Sequence, residues 1–73
     1  MSPALPRGLS GEQVAKALLR GGFEHVSTRG SHAKYRADSR TVIVPLHSGL
    51  APGTLKSILR QAGWTVDTLL GHL

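Results

Sequence analysis

Ser31-His32-Ala33-Lys34-Tyr35-Arg36-Ala37, then Asp38-Ser39-Arg40, then Thr41-Val42-Ile43-Val44-Pro45-Leu46 is the stretch that decides the fold. Its first part alternates. His32, Lys34 and Arg36 fall on one side and Ala33, Tyr35 and Ala37 on the other, the period of a strand with one basic and one apolar face. Asp38-Ser39-Arg40 has the composition of a turn. Thr41 to Val44 is β-branched throughout, a strand covered on at least one face, and it closes at Pro45, which has no N–H to give a ladder. Arg29-Gly30 is a second turn, and Glu24 to Thr28 is a β-like run before it. Three runs with such short separators pair most economically as an antiparallel meander.

Helical signals flank the meander. Ser10-Gly11-Glu12-Gln13 is a capping box, the hydroxyl accepting from the third helical N–H while Gln13 reaches back. The helix it opens runs to about Arg20, with Val14, Ala15, Leu18 and Leu19 on one face and Glu12, Gln13, Lys16 and Arg20 opposite. Gly21-Gly22 stops it, and Phe23 is placed to fold back on the last turn. After the strands, a loop from His47 to Pro52 leads to a second helix, from Gly53 or Thr54 to Ala62. Leu55, Ile58, Leu59 and Ala62 form its apolar stripe, and Gly63-Trp64 repeats the glycine-plus-aromatic ending. Thr65 caps a short last helix with Val66, Leu69, Leu70 and Leu73 on one face. The expected class is α+β in two layers, a three-stranded antiparallel sheet with both helices on one face and the other face free to meet a partner. Residues 1–9, with two prolines and a glycine, read as a flexible leader, and 10–73 as a single domain.

Composition limits what such a chain does. Seventy-three residues make one small domain with a thin core. Without cysteine there is neither a disulfide framework nor a thiolate metal site. No apolar run approaches the roughly 20 residues needed to cross a bilayer, and the first residues do not read as a signal peptide. A soluble, cytoplasmic protein is expected. Nine Lys plus Arg against four Asp plus Glu give a formal charge of +5, which favours a polyanionic partner, nucleic acid first and a membrane surface second.

Four histidines invite a metal reading, but His25, His32, His47 and His72 lack the close pairings of zinc motifs, so neither metal nor cofactor is expected. His25 reads as a half-exposed strand residue and His72 as tail. His32 stands apart because of its setting. It follows Arg29-Gly30-Ser31, a turn whose glycine lets backbone N–H groups approach an anion, and shares its strand face with Lys34 and Arg36. An imidazole titrates near neutrality, and cations beside it would hold a phosphodiester within its reach. RNA brings its own nucleophile, the 2′-hydroxyl, so a protein acting on it need only move protons and stabilise charge. The spacing fits a phosphate contact as well as a proton carrier. His47, after Pro45-Leu46, is a candidate for loop shaping, RNA contact or a second proton transfer. Lys16, Arg20, Lys56 and Arg60 read as ordinary helix surface, and Tyr35 and Trp64 as core.

At these residues the sequence resembles the HicA family, the small mRNA-interferase toxins of HicA–HicB toxin–antitoxin systems. The resemblance covers nearly the whole chain after Leu9. It rests on Gly22-Phe23, on Arg29-Gly30-Ser31-His32-Ala33-Lys34-Tyr35, on Val44-Pro45-Leu46-His47, and on the run from Pro52-Gly53-Thr54-Leu55 to Ala62-Gly63. It implies a double-stranded-RNA-binding-domain-like fold of order α-β-β-β-α, which agrees with the reading from the residues. It also implies an endoribonuclease that cleaves mRNA and is neutralised by a HicB-like antitoxin. The histidine of the Gly-Ser-His element, the catalytic residue of that family, maps onto His32. Arg29, Gly30, Ser31, Lys34, Arg36 and His47 are the accompanying candidates for holding RNA. A non-catalytic nucleic-acid-binding module would use the same fold and charge, and a metal-dependent nuclease is disfavoured by the scarcity of carboxylates, Glu12, Glu24, Asp38 and Asp67.

Overall fold

The computed structural model describes residues 3–73; of the expected leader, Met1 and Ser2 lie outside the described residues. The elements are α1 (Gly11–Arg20), β1 (Glu24–Arg29), β2 (His32–Ala37), β3 (Arg40–Pro45), α2 (Pro52–Ala62) and α3 (Val66–His72). The strands form one antiparallel sheet in the order β1-β2-β3. This is the expected α-β-β-β-α arrangement with a third helix appended. The second helix starts slightly earlier than its periodicity suggested, because Pro52 lacks the N–H that a first-turn residue has no use for.

The alternation along β2 divides the molecule. Ala33 and Tyr35 point inward with Val42 and Val44 of β3, and all four are buried beneath Leu18 of α1 and Leu55 and Ile58 of α2. Each fully buried Leu or Ile side chain contributes about 1.5–3 kcal/mol relative to exposure. Burial also pushes the Tyr35 phenol up, so it stays protonated. Lys34, Arg36 and His32 point the other way, toward a sheet face that no helix among the described residues covers.

Both helix stops work as the sequence suggests. The N–H groups of Phe23 and Trp64 donate back to the Leu18 and Leu59 carbonyls, each at 2.9 Å, in the pattern that satisfies otherwise orphan helix carbonyls. The two aromatic rings then meet edge to face, 5.9 Å between centroids. Trp64 occupies the space a Cβ on Gly21 would need.

Some expectations need correcting. Leu19 is 48% exposed, while Ala17 is fully buried. The buried arc of α1 runs through Gly11, Val14, Ala15, Ala17 and Leu18, and Leu19 falls about 40° beyond Ala15 at its margin. In α3 only Leu69 is buried; Leu70 and Leu73 are exposed because so short a helix offers α1 only a narrow stripe. His72 is not tail. Its ring stacks on Trp64 at 5.0 Å, and its carbonyl accepts from Arg20 Nη1 at 3.0 Å. Leu5 and Leu9 rest against the core, and the Leu9 carbonyl accepts from the Leu50 N–H at 2.8 Å.

Gly11 is the most closely packed of the described glycines. A Cβ there would fall inside contact distance of the Pro45 carbonyl oxygen and of the Leu46 Cα, both backbone atoms that cannot swing aside. Gly11→Ala should therefore destabilise by about 1–3 kcal/mol, read as a lower midpoint in thermal or urea denaturation. Gly53→Ala, where nothing lies within 4 Å of the added Cβ, should be neutral or stabilising by up to about 1 kcal/mol.

Candidate active site

The site is built where the β1–β2 turn meets the end of β3. Gly30 sits at φ +57°, at the first position of a two-residue hairpin turn, where an L side chain would be strained. The turn pairs Arg29 with His32 across the ladder, so the guanidinium and imidazole leave the same face. On the other side of β2, His32 is paired with Pro45. Leu46 continues the contact, its N–H donating to the Ser31 carbonyl at 2.6 Å.

That bond turns the chain so that His47 comes back beside the turn. The rings of His32 and His47 lie 6.3 Å apart between centroids, at 72° to each other. Ser31 Oγ stands 3.4 Å from His47 Nε2, a long hydrogen-bonding contact whose donor depends on the tautomer. The His47 backbone is held independently, its carbonyl accepting from the Gly11 N–H at 2.9 Å. A helix start leaves its first N–H groups without intrahelical partners, and α1 uses one of them to fix this loop. Both imidazoles are solvent-exposed.

The remaining sequence candidates divide along β2. Lys34 lies on the His32 face, about 7 Å further along the strand, half-buried between its cross-strand partners Ser27 and Ile43. Arg36 shares the face but lies about 13 Å from His32, opposite Glu24 and Thr41. Glu24 offsets charge at that far end, whereas the register partners around His32 and Lys34 include no carboxylate. The positive field is thus concentrated at the turn, where Arg29, His32 and Lys34 converge, and Arg36 is peripheral to it. His25 lies apart, its Nε2 2.6 Å from Thr28 Oγ1. Among the described residues no group of three or more His, Asp or Glu side chains comes together in a way that could hold a metal ion.

Two structural roles were not legible in the sequence, one at the site and one on the sheet edge. Gly11 was read only as part of a helix start, and nothing near it in the chain signals that its N–H holds a loop 36 positions away. Gln61 accepts from the Ile43 N–H at 2.8 Å through Oε1, occupying a main-chain donor on the β3 edge that would otherwise be open to another strand.

No helix among the described residues is long and apolar enough to cross a membrane. No curated protein matches the chain. The family model described as "HicA toxin of bacterial toxin-antitoxin" matches residues 11–64. The matched span opens at Gly11, contains the Gly30–His32 turn and His47, and closes on Trp64, so it includes every element that shapes this site. The chain belongs to the HicA toxin family of bacterial toxin–antitoxin systems.

Proposed function

We propose that this toxin is a metal-independent endoribonuclease that cleaves mRNA, with His32 as general acid or base, and that a HicB-like antitoxin neutralises it. The observation that carries the reading is the convergence of Arg29, His32 and Lys34 on the helix-free sheet face at one end of β2. Family membership supports the toxin role and implies an antitoxin.

The chemistry asks little of the protein. The 2′-hydroxyl of RNA loses its proton and attacks the adjacent phosphorus, forming an O2′–P bond. The P–O5′ bond breaks, and the departing oxygen takes up a proton. The products are a 2′,3′-cyclic phosphate and a 5′-hydroxyl. His32, exposed at the head of β2, reaches an oxygen of the reacting phosphate, while Lys34 and Arg29 hold its anionic oxygens and stabilise the charge that builds in the transition state. Gly30 and Ser31 shape the turn that presents His32. Arg36, about 13 Å from His32 along the strand, contacts a neighbouring phosphate, and His47 borders the site on its other side. An antitoxin fitted to this face covers His32 and meets the cations with acidic groups.

His32→Ala should abolish cleavage of a single-stranded RNA in excess chelator, and growth arrest with it; full activity in the variant would end the assignment. RNA binding by wild type without cleavage would instead identify a non-catalytic binding module, and activity lost to chelator a metal-dependent nuclease. Lys34→Ala should reduce kcat/KM more than Arg36→Ala, because only Lys34 is close to the reacting phosphate. A catalogue of thermal midpoints with and without antitoxin should show the toxin more stable when bound, by about 2.7 kcal/mol at a free antitoxin concentration 100 times Kd.

A further inference from the structure

We infer that His47 is the second proton carrier of the site, the partner that performs whichever transfer His32 does not. The inference rests on the endoribonuclease reading above and deepens it. Transesterification needs a base at O2′ and an acid at O5′, and these oxygens stand on opposite sides of the phosphorus. Each carrier must come within about 2.6–3.2 Å of its own oxygen. One imidazole cannot serve both at once.

The geometry around His47 is that of a placed group. Its ring lies 6.3 Å from that of His32 between centroids, edge to face, so a single phosphate group lying across the exposed edges of the two rings can be approached by both. Three contacts, one from Gly11 and two from Ser31, fix it there. The Gly11 N–H binds its carbonyl at 2.9 Å, the Ser31 carbonyl holds the preceding Leu46 N–H at 2.6 Å, and Ser31 Oγ lies 3.4 Å from its Nε2. A loop histidine needed only for shape would point its ring into the fold. This ring is exposed and lies beside that of His32, which is paired with Arg29 across the ladder and shares its strand face with Lys34. Lys34 is the other amine nearby, but it stands on the same strand and same face as His32 and approaches a phosphate from the same side. His47 approaches from the end of β3.

In the reaction, one imidazole accepts the O2′ proton as the O2′–P bond forms, and the other donates its proton to O5′ as P–O5′ breaks. The two histidines finish in exchanged protonation states, which proton exchange with water resets.

The test uses the purified full chain, a short single-stranded RNA, and the same RNA with sulfur replacing the bridging 5′-oxygen at the cleaved bond. A thiolate departs without being protonated, so this substrate bypasses the acid alone. His47→Ala and His47→Gln should each lower kcat on ordinary RNA by about 10²-fold or more, with KM changed little and circular dichroism unaltered. Glutamine can keep a hydrogen bond to Ser31 but cannot carry the proton. On the sulfur-bridged RNA, one of His32→Ala and His47→Ala should recover activity and the other should not. Near wild-type kcat in His47→Gln, a change confined to KM, an equal loss of kcat in Ser31→Ala, or failure of the sulfur substrate to rescue either histidine variant would each overturn the assignment. In those cases wild type still cleaves, and the endoribonuclease reading stands; a wild type that binds RNA and never cleaves it removes both.

Discussion

The start of α1 is pressed against the end of β3, and most of what matters in this molecule follows from that contact. Gly11 lies so close to the Pro45 carbonyl and to Leu46 that no side chain fits between them. Its N–H ties the His47 carbonyl at 2.9 Å. One glycine therefore sets how near the first helix comes to the sheet and where the loop after β3 departs. The capping box next to it, with Ser10 Oγ accepting from Gln13 N–H at 3.1 Å and Gln13 Oε1 accepting from Ser10 N–H at 2.9 Å, fixes the direction in which α1 leaves. The packing layer and the candidate site share this anchor.

At the opposite end of the helices, the anchor is aromatic. Phe23 and Trp64 follow the two helix stops and meet edge to face, and His72 stacks on Trp64. A chain of this length buries too little apolar surface to tolerate loose ends, and these three rings fasten the C-terminal ends of α1, α2 and α3 to one another. The fold is thus held at both ends of its helical layer, by a backbone contact at one and by stacked rings at the other.

This leaves the second face of the sheet free of structural duty. Inward side chains of β2 and β3 such as Ala33, Tyr35, Val42 and Val44 make the core, and the outward side chains of β2 carry the charge. Rigid strands present the cations at fixed spacing, and a turn with its glycine at positive φ presents His32 at the edge of that array. The candidate site combines a strand and its turn, which carry His32 and its cations, with a loop residue, His47, tied by the Gly11 N–H, an arrangement that suits a mechanism depending on positioning and charge.

The alternation of His32 to Ala37, the β-branched run of Thr41 to Val44, the capping box at Ser10 and the two glycine-plus-aromatic stops were all legible in the chain, because each is a local signal acting over a few residues. They determined the element order, the antiparallel sheet and the gathering of Arg29, Lys34 and Arg36 on one short segment around His32. Burial at the margins was less legible: whether Leu19 or Ala17 faces inward depends on which neighbours pack on α1, and periodicity alone does not contain that. Only the tertiary structure decided that His47 stands across from His32 and that Gly11 holds it there. The physical reason is sequence distance. Those contacts join backbone and side-chain groups brought together by the return of β3 along β2 and the docking of α1 upon it, and no run of neighbouring residues records them.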